Sequence, residues 1–329
     1  MFLAKSFESF LAPQMEKYLE YRGSLGYSGK DVARLRVLDR YLVTKNVTTL
    51  KMLTPLFFLR MRSDFAINQN TINQVIYALR GFFHYLVRIE FCQHNPLAGI
   101  PRFKENNIIP FIFSDQETKH LLEAAWRQVR REKQNFFLKD MGCCLALQLL
   151  ARCGLRISEP LRLKLKDFRA DERTIYIRET KFRKDRLIPI PVDVARHLAD
   201  YLCLRSALLP ADNQNPYLLA SGPVKGLYNQ QVRNFFHQAV REIGLAQSKR
   251  IIGNTNISAP TPHSLRHSFA VNTLRRIKKR GDSPQNALPV LAVYMGHKKY
   301  IYTIYYLKLI DADQRRNLVD FITSYPSRL

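Results

Sequence analysis

Residues 95–110 contain Pro96, Gly99, Pro101 and Pro110, show little apolar periodicity, and lie between two long stretches of helical pattern. A residue before proline is pushed out of the α region, and each proline removes a backbone donor. Neither a helix nor a sheet ladder runs easily through such a segment. It reads as an interdomain linker between a helical domain at 1–94 and a second domain at 111–329. The 329 residues suit two domains of ordinary size.

Upstream of the linker, apolar residues recur every three or four positions. Phe7 to Tyr21 has this spacing until Gly23 and Gly26 interrupt it. Ser28 can cap the next helix, where Val32, Leu35, Leu38 and Leu42 share a face. A short apolar stretch follows Pro55, and the longest helix is predicted over Asn70 to Phe91. Downstream, Ser114 and Glu117 form a capping box that opens a helix. Phe136 to Ala151 is strongly apolar and reads as a buried helix ended by Gly154. Thr174–Ile177 and Arg186–Ile190 read as strands joined by a basic turn over 180–185. Residues 244–261 read as a loop, with helices after Val192, Leu227, His263 and Pro284 and a last one over Asp313 to Phe321. The expected fold class is mainly α with a small β-sheet (α+β).

Charge narrows the partner. The chain has 52 Lys+Arg against 27 Asp+Glu, a net charge of +25, and both parts are basic. Such an excess repels itself in a compact chain and is relieved by a polyanion, nucleic acid first among them. The 46% hydrophobic content excludes wholesale disorder. No apolar run has the length of a membrane span, and the start lacks a leader of secretory type. The five cysteines have no pairing logic and no metal-ligand spacing. These features lead us to expect reduced thiols in a cytoplasmic protein without a membrane partner.

Four separated segments carry chemistry-bearing side chains: Gly154-Leu-Arg156-Ile-Ser-Glu159, Lys181 to Arg186, His263-Ser-Leu-Arg266-His267, and Gly296-His297 with Tyr306 nine residues on. His263 and Arg266 share a face of a helix's first turn, where Pro262 suits the start. Taken singly, each has an ordinary reading: a solvated arginine, a charged turn, a helix-start histidine, a core tyrosine. Together and in this order they resemble the tyrosine recombinases of the phage-integrase and Xer type. The resemblance covers nearly the whole chain.

The resemblance implies a helical, SAM-like core-binding domain at 1–94 and a catalytic domain at 111–329 with a C-terminal tail helix, closing as a C-shaped clamp on double-stranded DNA. It also implies the catalytic set. Arg156 and Arg266 would hold the phosphate oxygens, and Tyr306 would attack phosphorus to give a 3′-phosphotyrosine. Lys181 would protonate the leaving 5′ oxygen, His263 would assist proton transfer at the nucleophile, and His297 would bond the phosphate. Glu159 would support the site. The guanidinium groups supply the charge that a metal supplies in nucleases, so neither cofactor, metal nor ATP is expected. Arg34, Arg36, Arg40, Arg80, Lys104, Arg183 and Lys184 are candidate DNA contacts. The family works as a homotetramer on two specific DNA sites through a Holliday junction. The free chain is expected as a monomer or weak dimer, with accessory or sister recombinases as further partners and a mobile element as its setting.

Three departures stand out. Phe182 replaces the common glycine; Tyr305 competes with Tyr306, which the spacing from His297 and the position of Thr303 favour; and the stretch Arg275 to Leu291 is long and is expected to extend a loop. Type IB topoisomerases and telomere resolvases share the chemistry. A DNA-binding architectural protein could keep the fold without it.

Overall fold

The computed structural model describes residues 6–27, 29–65, 69–103, 107–132, 134–178, 185–210, 213–252, 255–297 and 299–310. The chain divides into two compact units, residues 1–107 and 108–329. No helix among the described residues is long and apolar enough to cross a membrane.

The first unit contains helices α1 (Ala12–Ser24), α2 (Lys30–Thr44), α3 (Pro55–Asp64) and α4 (Gln69–Arg88). Thr54 caps α3, its hydroxyl accepting from the Phe57 amide at 3.3 Å, and Pro55 follows where a missing donor costs nothing. The apolar stripe of α4 packs Ile76, Leu79 and Phe83 against Leu35, Leu38 and Phe58. Ser28 lies outside the described residues, and Gly29 occupies the position before α2.

The stretch read as a linker packs into this unit as far as Phe103. Leu97 and Ile100 are buried in the same core. Arg80 donates to the carbonyls of Leu97, at 2.9 Å, and Ile100, and Asn73 exchanges two 2.9 Å bonds with the Phe103 backbone. Helix α4 ends at Arg88, ahead of Pro96, where Glu90 turns the chain with φ +57°, and the carbonyls around the prolines still accept hydrogen bonds.

The second unit is built around α6 (Gln134–Cys153), flanked by α5 (Asp115–Arg127), α7 (Val192–Leu208), α8 (Asn229–Glu242) and α9 (Pro262–Lys279). Residues 143–150 of α6 are buried without a break, which is why the sequence there shows no polar face. The capping box at Ser114 is present in full at the start of α5. Antiparallel strands β2 (Phe168–Arg169), β3 (Thr174–Ile177) and β4 (Arg186–Pro189) form one sheet, with Ile175 opposite Ile188.

Two expectations need correction. Residues 244–261 are not a plain loop: β5 (Arg250–Ile252) and β6 (Thr255–Ile257) form a hairpin, and β1 (Asn107–Ile109) joins the sheet in the order β1-β6-β5. All of β5 is exposed, so no alternation of apolar and polar residues marks it. The basic run from Arg275 is not a loop extension either. It is the last turn of α9, and four residues separate the end of α9 from the start of α10 (Pro284–Met295). Cations at a helix C-terminus meet the negative end of its dipole, so a basic run there is compatible with helix. Residues 301–310 are helical, while the tail helix expected at Asp313 to Phe321 lies outside the described residues.

Candidate active site

Two left-handed glycines bring the first parts together. α6 ends at Cys153, and Gly154 turns the chain with φ +60°. A Cβ there would stand 2.4 Å from the Phe269 ring. The turn delivers Arg156 to Glu159, whose carboxylate accepts from the Arg156 amide and Nη1, each at 2.9 Å. α10 ends at Gly296, φ +66°, which positions His297. Arg156 Nη2 donates to the Gly296 carbonyl at 2.7 Å.

Helix α9 enters the same region. Thr261 precedes it, and the Ser264 hydroxyl accepts from the Thr261 amide at 3.1 Å. His263, Arg266 and His267 lie at i, i+3 and i+4, on one face. Arg266 is 1% exposed, and its two terminal nitrogens donate to Gly154 O at 2.5 Å and Met295 O at 2.7 Å. It therefore ties both glycine turns to α9.

The two tyrosines separate clearly. Tyr306 is 3% exposed, and its hydroxyl lies 3.2 Å from His267 Nδ1. The His297 ring lies nearly parallel to it at 6.1 Å, and His297 Nδ1 is 2.8 Å from the buried Thr303 hydroxyl. Tyr305 instead donates to the Ile108 carbonyl. Of the residues expected to act, Arg156, Glu159, His263, Arg266, His297 and Tyr306 form one cluster. Lys181 lies outside the described residues.

Arg156, Arg266 and Arg186 gather here around the carboxylate of Glu159, leaving an excess of positive charge. Burial alone would raise the Glu159 pKa. Its hydrogen bond and charge pairing with Arg186, the Arg156 amide and the Arg266 charge outweigh burial and hold the carboxyl below its usual range. Burial, followed by the charge of Arg156, brings Arg266 down to about 10, still charged at neutral pH. The His267 pKa is lowered to about 3 by burial, His263 and Arg266. That of His297 is lowered to about 3 by burial, Arg266 and Arg156. His263 is pushed down by the burial of part of its ring and by the same two arginines, although its surface is exposed and solvent moderates the effect. Burial raises the Tyr306 pKa against the opposing pull of Arg266 and Arg156. At neutral pH the site thus holds neutral histidines, a protonated phenol and a net cationic wall, which is a place for an anion.

Three members of the cluster were given no role from the sequence. His267 was visible in the His-x-x-Arg-His segment, at i+4 from His263, and it takes the position beside the Tyr306 hydroxyl that was expected of His263. Its edge meets the His263 ring at 4.5 Å. Thr303 orients His297. Arg186, at the start of β4, donates to both Glu159 oxygens.

The candidate DNA contacts fare unevenly. Arg80 donates to the carbonyls of Leu97 and Ile100, so it supports the fold. From the middle of α4 it satisfies carbonyls of the proline-containing stretch that would otherwise be unpaired. Arg34 pairs with Asp31 and Gln74. Arg36 is half-buried, and Arg40 is exposed. Lys104, Arg183 and Lys184 lie outside the described residues.

The chain is similar to known proteins of one family. The phage integrase family matches residues 113–312. The candidate integrase/recombinase y4rE of Sinorhizobium fredii is 30% identical over 305 residues, covering 92% of this chain and 93% of that protein. The tyrosine recombinase XerD of Brucella suis is 30% identical over 200 residues, or 60% of this chain and 61% of that protein. Among solved structures, a lambda integrase tetramer bound to a Holliday junction aligns with a TM-score of 0.63 at 18% identity. That alignment covers 88% of this chain and 77% of that one.

Proposed function

Because this chain belongs to the phage integrase family of tyrosine recombinases, we propose that it cuts and rejoins specific DNA sites through a covalent 3′-phosphotyrosine at Tyr306. The carrying observation is the 3.2 Å contact between the Tyr306 hydroxyl and a neutral His267 nitrogen, in the cluster that holds Arg156 and Arg266.

The chemistry balances with these groups. The phenol oxygen attacks phosphorus as its proton passes to His267, and the bond from phosphorus to the 5′ oxygen breaks. Lys181 gives the leaving oxygen its proton. Arg156 and Arg266 face the charge that grows on the non-bridging oxygens, and such preorganised donors contribute roughly 3–4 kcal/mol each. The phosphotyrosine keeps the bond energy, so rejoining is the reverse reaction and needs no ATP. The Tyr306 ring is buried in the free chain, so DNA binding has to turn its hydroxyl toward phosphorus.

Recombination joins two duplexes. We assign a homotetramer acting through a Holliday junction, the arrangement named for the lambda integrase relative, on a mobile element's DNA. The test is capture of covalent adducts from a random-sequence duplex library in EDTA, followed by denaturation. Wild type and Tyr305→Phe should retain a covalently attached strand, and Tyr306→Phe should retain none. An adduct that survives in Tyr306→Phe and disappears in Tyr305→Phe would reverse the assignment. Relaxation of supercoils by the captured-site enzyme without junction formation would point to a topoisomerase.

A further inference from the structure

Arg186 is the third guanidinium of the cluster, and all three of its nitrogens are engaged. Nη1 and Nη2 donate to the two Glu159 oxygens at 3.1 and 2.9 Å, and Nε donates to the Tyr294 carbonyl at 2.8 Å. Its side chain is 9% exposed, against 23% for Arg156. A Cβ on Gly296 would stand 3.0 Å from Arg186 Nη1, so the His297 turn packs directly on this guanidinium. With every nitrogen committed to a protein acceptor, Arg186 acts on its neighbours.

Glu159, by contrast, is shared. It also takes one hydrogen bond from the Arg156 side chain and one from its amide. A buried carboxylate facing a single guanidinium pairs with it fully and cancels its charge. We propose that Arg186 is a positioning residue: by forming the two-pronged pair with Glu159, it leaves Arg156 charged and open to a phosphate while fixing the turn that carries His297. With Arg186, three guanidiniums surround one carboxylate. Without it, Arg156 and Glu159 close on each other and the site loses a unit of positive charge. The inference rests on the strand-cleavage reading for the identity of the anion.

The test compares wild type, Arg186→Met, Glu159→Gln and the double variant in the full chain. Each is titrated with inorganic phosphate by calorimetry, assayed for adduct formation on the captured duplex, and melted. Arg186→Met should weaken phosphate binding about tenfold, or about 1.4 kcal/mol, and raise the half-saturating duplex concentration. Adding Glu159→Gln should restore phosphate affinity to within about threefold of wild type, since no carboxylate then competes for Arg156. The proposal is overturned if Arg186→Met binds phosphate like wild type, or if the double variant binds no better than Arg186→Met at equal melting temperature. Should Arg186→Met not fold, Arg186→Lys with and without Glu159→Gln makes the same comparison, because lysine keeps the charge but cannot span both oxygens. Loss of adduct in wild type with phosphate binding intact would count against the cleavage reading and leave the Arg186 comparison standing.

Discussion

At the residue scale, enclosure sets the proton inventory. His267 and His297 have pKa values of about 3, far below the ordinary histidine value, because burial and neighbouring cations disfavour their charged forms. Above pH 6.5 both are neutral in folded and unfolded chains and cost nothing. As pH falls from 6.5 toward 3, the unfolded chain takes up protons that the folded one refuses, so stability drops. The slope approaches about 1.4 kcal/mol per pH unit for each group. Denaturant midpoints should therefore fall through that window in wild type and fall less steeply in His267→Gln, where only His297 of the pair remains. An unchanged slope would show that His267 titrates normally.

Residue identity and residue placement were legible to different degrees. The motif spacing marked Arg156, His263, Arg266, His297 and Tyr306, because the same residue types in order are visible without coordinates. It gave no role to His267, whose part depends on which of two adjacent ring positions reaches the phenol. It favoured Tyr306 over Tyr305 by the spacing from His297 and the position of Thr303, with no account of where either ring goes. Their placement comes from one ring donating to the Ile108 carbonyl while the other turns inward.

At the element scale, the glycine turns after α6 and α10 bear the placement of the arginines. Gly154→Ala puts a side chain at φ +60° and 2.4 Å from Phe269, so it should destabilise the second unit by at least about 1–2 kcal/mol. For a unit of this size the melting temperature should fall by about 2–4 °C per kcal/mol. A melting temperature equal to wild type would mean that the turn relaxes freely. Helices with a full apolar stripe, α4 above all, were readable from spacing. The β5–β6 hairpin was not, because a strand exposed along its length has no buried face to impose a pattern. The basic end of α9 was misread for a related reason: a charge run describes solvent exposure, not backbone conformation.

At the scale of the whole molecule, the net charge of +25 predicts binding dominated by counterion release. Log affinity for duplex DNA should fall linearly with log salt, by about 0.9 per phosphate neutralised. Arg40→Ala should reduce that slope by about one if this exposed arginine meets phosphate, whereas Arg80→Ala should leave the slope unchanged and lower stability. The opposite pattern would overturn the assignment of Arg80 to the fold. Because the second unit has a separate hydrophobic core, residues 108–329 expressed alone should melt cooperatively. A fragment without a transition would show that its core needs the first unit.

The order of residue types along the chain determined the family, the excess of positive charge and most members of the side-chain cluster, because a family's motifs are written in residue types and spacing. Only the tertiary structure decided which arginine is spent and which is left open, which histidine meets the phenol, and which tyrosine turns inward. Those outcomes depend on competition for carbonyls and carboxylates between segments far apart in sequence, and spacing along a chain does not record who wins it.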